Sequence, residues 1–317
     1  MSIVGKVFKW LGITVGAVVL LILLGVGYIY WKSSSMLGRK FEYTVARAIY
    51  APADSAARAR GKHLATAIMM CAECHGENFG GARVVDEPVF ARIYGPNLTA
   101  GKGGRGVGHG YDIKTFDRAV RHGITKDGRG LYLMPSQHYT YASDDDLAAL
   151  YAYISSLPPV DNDPPPFTLG PIGRMLVATG KLPPTWPEVI QHDAPRPAKP
   201  AAGPTKEYGQ YIARLACIGC HRPDLSGGII EDGDPKWPPA SNITKGGALK
   251  DYTYDSFYKV LTEGERPGGN PVAEPMSNAV QFTGLMEDYE IEALWHYLQS
   301  LPAVPTGTAS WFTTKTP

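Results

Sequence analysis

The sequence predicts a mostly α-helical protein in which one N-terminal membrane-spanning helix precedes two tandem small helical domains. Three observations carry this. Residues 11–31 form an uncharged run, a set of short motifs occurs twice at a nearly constant offset, and a proline-rich stretch separates the two copies. The chain of 317 residues has room for two modest domains at roughly 100–200 residues each. Its formal net charge of +1 leaves no polycationic footprint, so nucleic acid is not expected as a partner.

The first element is the anchor, residues 10–31. "LGITVGAVVLLILLGVGYIYW" carries no charge between Lys9 and Lys32, and about 20 apolar residues span a bilayer as a helix. Trp10, Tyr28, Tyr30 and Trp31 stand where interfacial aromatics belong. A cleaved signal peptide is the rival, but its apolar region is about 7–15 residues long and ends at a small-residue site. Here the run ends in "YIYWKSSS". Lys6 and Lys9 on one side face Lys32, Arg39 and Lys40 on the other, so charge does not orient the helix.

The next elements are two copies of one domain, expected over residues 50–160 and 205–304. "CAECH" (71–75), "PNLT" (96–99), "TFDRAVRHGI" (115–124), "YLMPSQ" (132–137) and "DDDLAALYAYISSLPPV" (144–160) run parallel to a second series. That series is "CIGCH" (217–221), "SNIT" (241–244), "SFYKVLTEGE" (256–265), "AEPMSN" (273–278) and "DYEIEALWHYLQSLPAV" (288–304). The offset is 146 at the first cysteine, 142 at the methionine and 144 at the closing Leu-Pro. In each copy a helix leads into the cysteine motif and another closes the domain. Ser143 with Asp146 reads as a capping box, Leu147, Leu150, Tyr151 and Ile154 form an apolar stripe, and proline follows. Little between these helices reads as strand. Gly61 and Gly209 could allow close helix contact before each motif. Between the copies, the connector 161–204 is dense in proline and reads as stiff and extended. Within it only "IGRMLVATG" (172–180) could form a short helix, packed on one of the domains. The glycine-rich "GKGGRGVGHG" (101–110) lacks the context of a phosphate loop and reads as a flexible loop.

The two C-x-x-C-H motifs use all four cysteines of the chain. A dithiol redox centre calls for a strand-helix context that is not visible. A zinc site would need four ligands pooled across the two copies and would leave His75 and His221 unexplained. Covalent haem attachment explains every residue. Cys71 and Cys74, and likewise Cys217 and Cys220, sit on one helical turn, where both thiols can form thioethers with a haem. His75 and His221 then offer a nitrogen to each iron. Met134 and Met276 occupy matching places 59 and 55 residues after their histidines, in loops beside proline, and are the candidate sixth ligands. His138 is a weaker alternative to Met134. The Pro96 carbonyl could orient His75; Ser241 stands at the matching place in the second copy and makes the same role doubtful there. Arg118 could pair with a haem propionate. The reading is therefore two covalently bound haem c groups.

These residues identify the chain as resembling a class I cytochrome c in tandem. More narrowly, "PNLT", "FDRAVRHGITKDGRGLYLMPSQHYTYASDDDLAALYAYISSLPPV" and "GRMLVATGKLP" resemble the cytochrome c subunits of membrane-bound quinoprotein alcohol dehydrogenases and gluconate dehydrogenases. The resemblance covers about 50–304. It implies single-electron transfer between a membrane-bound dehydrogenase or respiratory complex and a soluble cytochrome or oxidase. It also implies the bacterial inner membrane, a single pass, and haem domains in the periplasm. Those subunits usually carry three haems where this chain has two motifs. A dihaem cytochrome c peroxidase is the enzymatic alternative, and a structural respiratory subunit is a third reading. Two matched methionines, closing both irons, argue against the peroxidase.

Overall fold

The computed structural model describes residues 3–45, 49–50, 54–182, 186–231 and 233–311. Residues 183–185 of the proline-rich stretch and Asp232 lie outside the described residues.

Helix α1 spans Ile3–Leu37. Its side chains from 11 to 28 are exposed all round, and a helix that is apolar on every face and covered by no protein has its natural solvent in lipid. At 35 residues it is about 52 Å long, enough to cross a bilayer.

In the first half, α2 (Ser55–His63) starts on an Asp54 cap and runs into a π-helical turn, Leu64–Ile68. Then follow α3 (Cys71–His75), α4 (Ile113–His122), α5 (Ser136–Tyr139) and α6 (Asp144–Ser155). The second half repeats the plan with α8 (Lys206–Ala216), α9 (Ile218–His221), α10 (Tyr254–Thr262), α11 (Met276–Thr283) and α12 (Asp288–Ser300). Each half is organised by one crossing, α2 on α6 and α8 on α12, and a glycine permits each. A β-carbon on Gly61 would stand 2.0 Å from the Ala149 carbonyl oxygen, and one on Gly209 would stand 1.9 Å from that of Ala293. Only a hydrogen fits there, so backbone meets backbone. Ten residues separate Gly61 from Cys71 but eight separate Gly209 from Cys217. The π turn and the left-handed Met70 (φ 48°) absorb the difference.

The closing helix of the first half carries the expected stripe. Leu147, Leu150 and Ile154 are buried, with Tyr151 half-buried. Only half of the expected capping box forms. Ser143 Oγ accepts from the Asp146 amide at 3.1 Å, while the Asp146 carboxylate reaches Arg60 and Tyr211 instead.

Two expectations are corrected. Strand does occur: β1 (Ala82–Glu87) and β2 (Ala91–Gly95) form an antiparallel hairpin, and β3 (Thr168–Leu169) from the connector adds a third strand. The connector is also not a spacer. The short helix expected within it forms, α7 (Pro171–Ala178), but the connector also contributes β3, and Lys199 reaches Asp146 at 3.3 Å. Short antiparallel strands β4 (Glu265–Arg266) and β5 (Asn270–Pro271) lie in the second half.

The halves pack directly on each other. One contiguous apolar core includes Leu64, Leu147 and Ile154 of the first with Tyr208, Ile212 and Leu294 of the second. At that seam Arg60 binds Asp146 of its own half with two hydrogen bonds, 2.7 and 3.1 Å, and reaches across to lie 3.6 Å from the buried Glu290 of the second. His63 Nε2 is 2.6 Å from the other Glu290 oxygen, and the Tyr208 hydroxyl donates to Glu290 at 3.2 Å. Burial alone would raise the Asp146 and Glu290 carboxyls, yet both are held below the ordinary range, chiefly by Arg60 for Asp146 and by His63 for Glu290.

Candidate functional site

The turn α3 brings Cys71, Cys74 and His75 onto one short helical segment, and α9 with Cys217 before it does the same for Cys220 and His221. The backbone that follows is the same in both copies. The residue after each histidine has positive φ, Gly76 at 78° and Arg222 at 71°, and so does the fourth residue on, Phe79 at 57° and Leu225 at 62°. Gly81 and Gly227 donate back to the carbonyls of His75 and His221 at 2.8 and 2.9 Å. Arg222 is held in its Gly-favoured conformation by its guanidinium, which donates to the Ala309 and Ile229 carbonyls and lies 3.6 Å from Glu231.

This loop aims the two imidazoles alike. His75 Nδ1 donates to the Pro96 carbonyl at 3.0 Å and His221 Nδ1 donates to the Ser241 carbonyl at 2.7 Å. The bond expected for Pro96 therefore recurs at Ser241, because the acceptor is main chain and its side chain is irrelevant. With the proton on Nδ1, each Nε2 keeps its lone pair for a metal. Burial lowers both imidazoles, against the hydrogen bonds that raise them, so both rings stand neutral.

The carbonyls are fixed by the "PNLT" and "SNIT" segments. Asn97 Nδ2 donates to the carbonyls of Val160 (2.7 Å) and Asn162 (3.0 Å), and its Oδ1 accepts from the Thr99 amide and hydroxyl. Asn242 repeats this with Val304 and Thr244. Each asparagine ties the acceptor loop to the chain just past the closing helix.

In the first half, Cys71, His75 and Met134 line one cleft. Leu98, Val107, Phe116, Val120, Leu150 and Ile154 make its apolar wall. Two further lining residues, Arg105 and Tyr111, were not expected from sequence, and nothing in residue type or period marked them. The glycine-rich loop is packed where a flexible loop was expected. Gly106 and Val107 line the cleft, and a β-carbon on Gly101 would strike the Val160 carbonyl at 2.1 Å.

The cysteines form no disulfide. Burial pushes the Cys71, Cys74 and Cys217 thiols up to about 12, opposite to the lowered pKa that a reactive dithiol needs. An apolar cleft bounded by a paired thiol turn, an oriented neutral imidazole and a thioether fits a covalently attached haem. In the second half Met276 is half-buried against the core and opens α11, where a loop was expected. His138 is not among the residues lining the first cleft. It lies against the second motif, where a β-carbon on Gly219 would stand 2.4 Å from its Cε1, and its ring is 4.8 Å from that of Trp311. Arg118 donates to the carbonyls of Thr125 and Lys126 at 2.9 and 2.8 Å, which ties it to the turn after α4.

Comparison with known proteins adds the following. Residues 56–154 match the family described as cytochrome c oxidase, cbb3-type, subunit III, and residues 206–302 match cytochrome c. The chain is 30% identical to the fructose dehydrogenase cytochrome subunit of Gluconobacter japonicus, over 77% of this chain and 52% of that protein. It is 29% identical to the cytochrome c subunit of the alcohol dehydrogenase (quinone) of Gluconacetobacter polyoxogenes, over 82% of this chain and 59% of that one. It is 27% identical to a diheme cytochrome c-type protein of Cereibacter sphaeroides, over 74% of this chain and 82% of that one. The chain thus spans little more than half the length of the two dehydrogenase subunits.

Proposed function

Because the chain carries two cytochrome c domains and two covalently bound haem c groups, we propose that it is the electron-transfer subunit of a membrane-bound dehydrogenase complex. It passes single electrons from that partner to a soluble cytochrome or an oxidase. The domains run over 50–160 and 205–304, with the connector 161–204 folded onto the first. Helix α1 anchors the chain in a bacterial inner membrane, with both haem domains in the periplasm. The observation that carries this reading is the matched pair of histidines, each with Nδ1 bonded to a main-chain carbonyl and Nε2 free.

Cys71 and Cys74, and Cys217 and Cys220, supply the thioether sulfurs. His75 and His221 would each offer a nitrogen to the haem iron, and Met134 and Met276 a sulfur. A bound haem of this kind supplies a one-electron couple. The chain does the rest: the Pro96 and Ser241 carbonyls fix the imidazole planes, the apolar wall of the cleft keeps water away, and soft methionine sulfur favours the ferrous state. The dehydrogenase subunits and the diheme cytochrome among the relatives support a carrier over a peroxide-reducing enzyme.

The soluble carrier docks on the second domain. Residues 206–292 hold eight basic and fourteen acidic side chains, whereas 51–157 hold twelve and eleven. Asp255, Glu263, Glu274, Glu287 and Asp288 of this excess are exposed. A one-sided field of this kind speeds encounter with a basic partner, and salt weakens it.

The test of the assignment is stoichiometric. The denatured chain should retain two haems, and a Cys71→Ser, Cys74→Ser double variant should retain one; free thiols in the mature protein would sink it. The docking reading is tested on the full chain. Electron exchange with a basic cytochrome should slow with added salt, and replacing the five exposed carboxylates by amides should remove most of that dependence.

A further inference from the structure

Helix α7 is short, and among its eight residues Arg174 alone is charged. That charge is turned inward. Arg174 donates to the hydroxyls of Ser33 (3.0 Å) and Ser34 (2.9 Å), and its guanidinium lies 4.7 Å from the centroid of the Tyr30 ring. The helix is thereby fixed to the last turns of α1, at the level of Tyr28, Tyr30 and Trp31, which are exposed aromatics at the end of the uncharged run.

The opposite side of α7 packs on the β1–β2 turn. The Ile172 amide donates to the Val89 carbonyl at 3.0 Å and the Gly170 amide donates to that of Phe90 at 2.8 Å. A β-carbon on Gly173 would stand 2.3 Å from the Phe90 oxygen. The outward face that remains carries Ile172, Met175, half-buried Leu176 and Thr179, with Val89 beside Ile172. Val89 is 59% exposed, Ile172 46% and Met175 43%. A helix facing water presents polar or charged residues on that side; this one presents no charge, and its one hydroxyl, that of Thr179, is turned back onto the Met175 carbonyl at 2.8 Å.

From the continuity of this apolar face with the aromatic end of the membrane helix, we infer that α7 and the Val89 turn form an interfacial foot. The foot sinks into the headgroup region of the bilayer and seats the first domain on the lipid surface. Short apolar faces at this depth bind the boundary between headgroups and acyl chains. The occupant is lipid because the level is set by α1 itself. Arg174, which would otherwise be carried into that zone, is neutralised in its hydrogen-bonding by two serines and a tyrosine face. The inference rests on α1 spanning the membrane.

The experiment uses the full-length haem-loaded chain, alone in nanodiscs of phosphatidylcholine and phosphatidylglycerol. A benzophenone amino acid replaces, one at a time, Leu20 in the span, Ile172, and Met175. After illumination, mass spectrometry should show a phospholipid adduct at all three positions, and the Ile172 adduct should be lost when Met175→Glu is added. An adduct at Leu20 with none at Ile172 and Met175 would overturn the foot while leaving the anchor intact. No adduct at Leu20 would remove the membrane reading and the foot with it. In native membranes, a protein adduct at Ile172 in place of lipid would show a partner subunit on this face and also overturn the proposal.

Discussion

Replacing Gly61 or Gly209 by alanine sets two effects of opposite sign against each other. In an exposed helix the change is worth about 1 kcal/mol of added stability, since glycine is the poorer helix former. Here the new β-carbon would meet Ala149 O at 2.0 Å or Ala293 O at 1.9 Å, with the carbonyl carbons at 2.6 and 2.4 Å. Ordinary contact begins near 3.4 Å, so each helix pair would have to open by about 1.4–1.5 Å. Both obstacles are backbone, which has no rotamer to change. The cost therefore belongs at the top of the ~1–3 kcal/mol range for overpacking, and the expected net is a loss of about 2 kcal/mol per site. Because the halves share one core, the cooperative unit is about 250 residues, and this lowers the thermal midpoint by roughly 4–8 °C. Circular dichroism melts of the haem-loaded chain, followed at both peptide and haem wavelengths, measure it. A rise in midpoint at either site would refute the reasoning, because it would mean that the two helices do not touch there.

Three further outcomes are expected. Met134→Ala and Met276→Ala should each remove one methionine–iron charge-transfer band at the red edge of the ferric spectrum and lower one potential, read by redox titration. Asn97→Ala and Asn242→Ala should each destabilise by about 1–3 kcal/mol, because the Thr99 or Thr244 amide and the bonded carbonyls lose their partner, as denaturant titration would show. Stability should fall with acid through the His122–His192 pair: burial first, then Arg196, lowers His122 to about 2, and burial lowers His192. Both rings are neutral in the folded chain and titrate near 6.5 when unfolded, so their contribution is full above about pH 6.5 and is lost below it, at up to ~1.4 kcal/mol per pH unit for His122 and less for the more exposed His192; a His122→Gln variant should show a shallower acid limb.

The parts of the fold that were legible in sequence are those whose cause is local. The C-x-x-C-H turn and the helix stripe of Leu147, Leu150 and Ile154 sit in motifs whose residue types state their work, whereas "PNLT" and "SNIT" were legible only as a repeat and the fourfold bonding of Asn97 and Asn242 was not. Gly61 and Gly209 were legible because glycine inside a helix costs stability unless something needs the space. The hairpin was missed because its strands are short, with a bulge between Arg83 and Val85 and charged residues along one edge. Its third strand is two residues lent by a proline-rich stretch, where no propensity points to sheet. Asp146 was read as a cap residue because a cap needs only three residues of context. Its actual partners, Arg60 and Tyr211, lie 86 and 65 residues away.

That seam also changes what the repeat means. Two copies joined by a stiff spacer would hold their haems at a distance set by the linker. In this chain the copies share a core, and Arg60 of the first stands between the carboxylates of Asp146 and Glu290, both with fully buried side chains. Such charges are tolerable only in company: removing one partner of a buried pair costs about 3–5 kcal/mol, because the other is left uncompensated. Separating the halves would do this to Glu290, which would lose Arg60 and His63 together. The ion network therefore ties the second half to the first, and His138 of the first half lies on Gly219 of the second motif beside it. Relative placement of the two sites is consequently a property of the packed core, and substitutions at Arg60 or Glu290 should act on both domains at once.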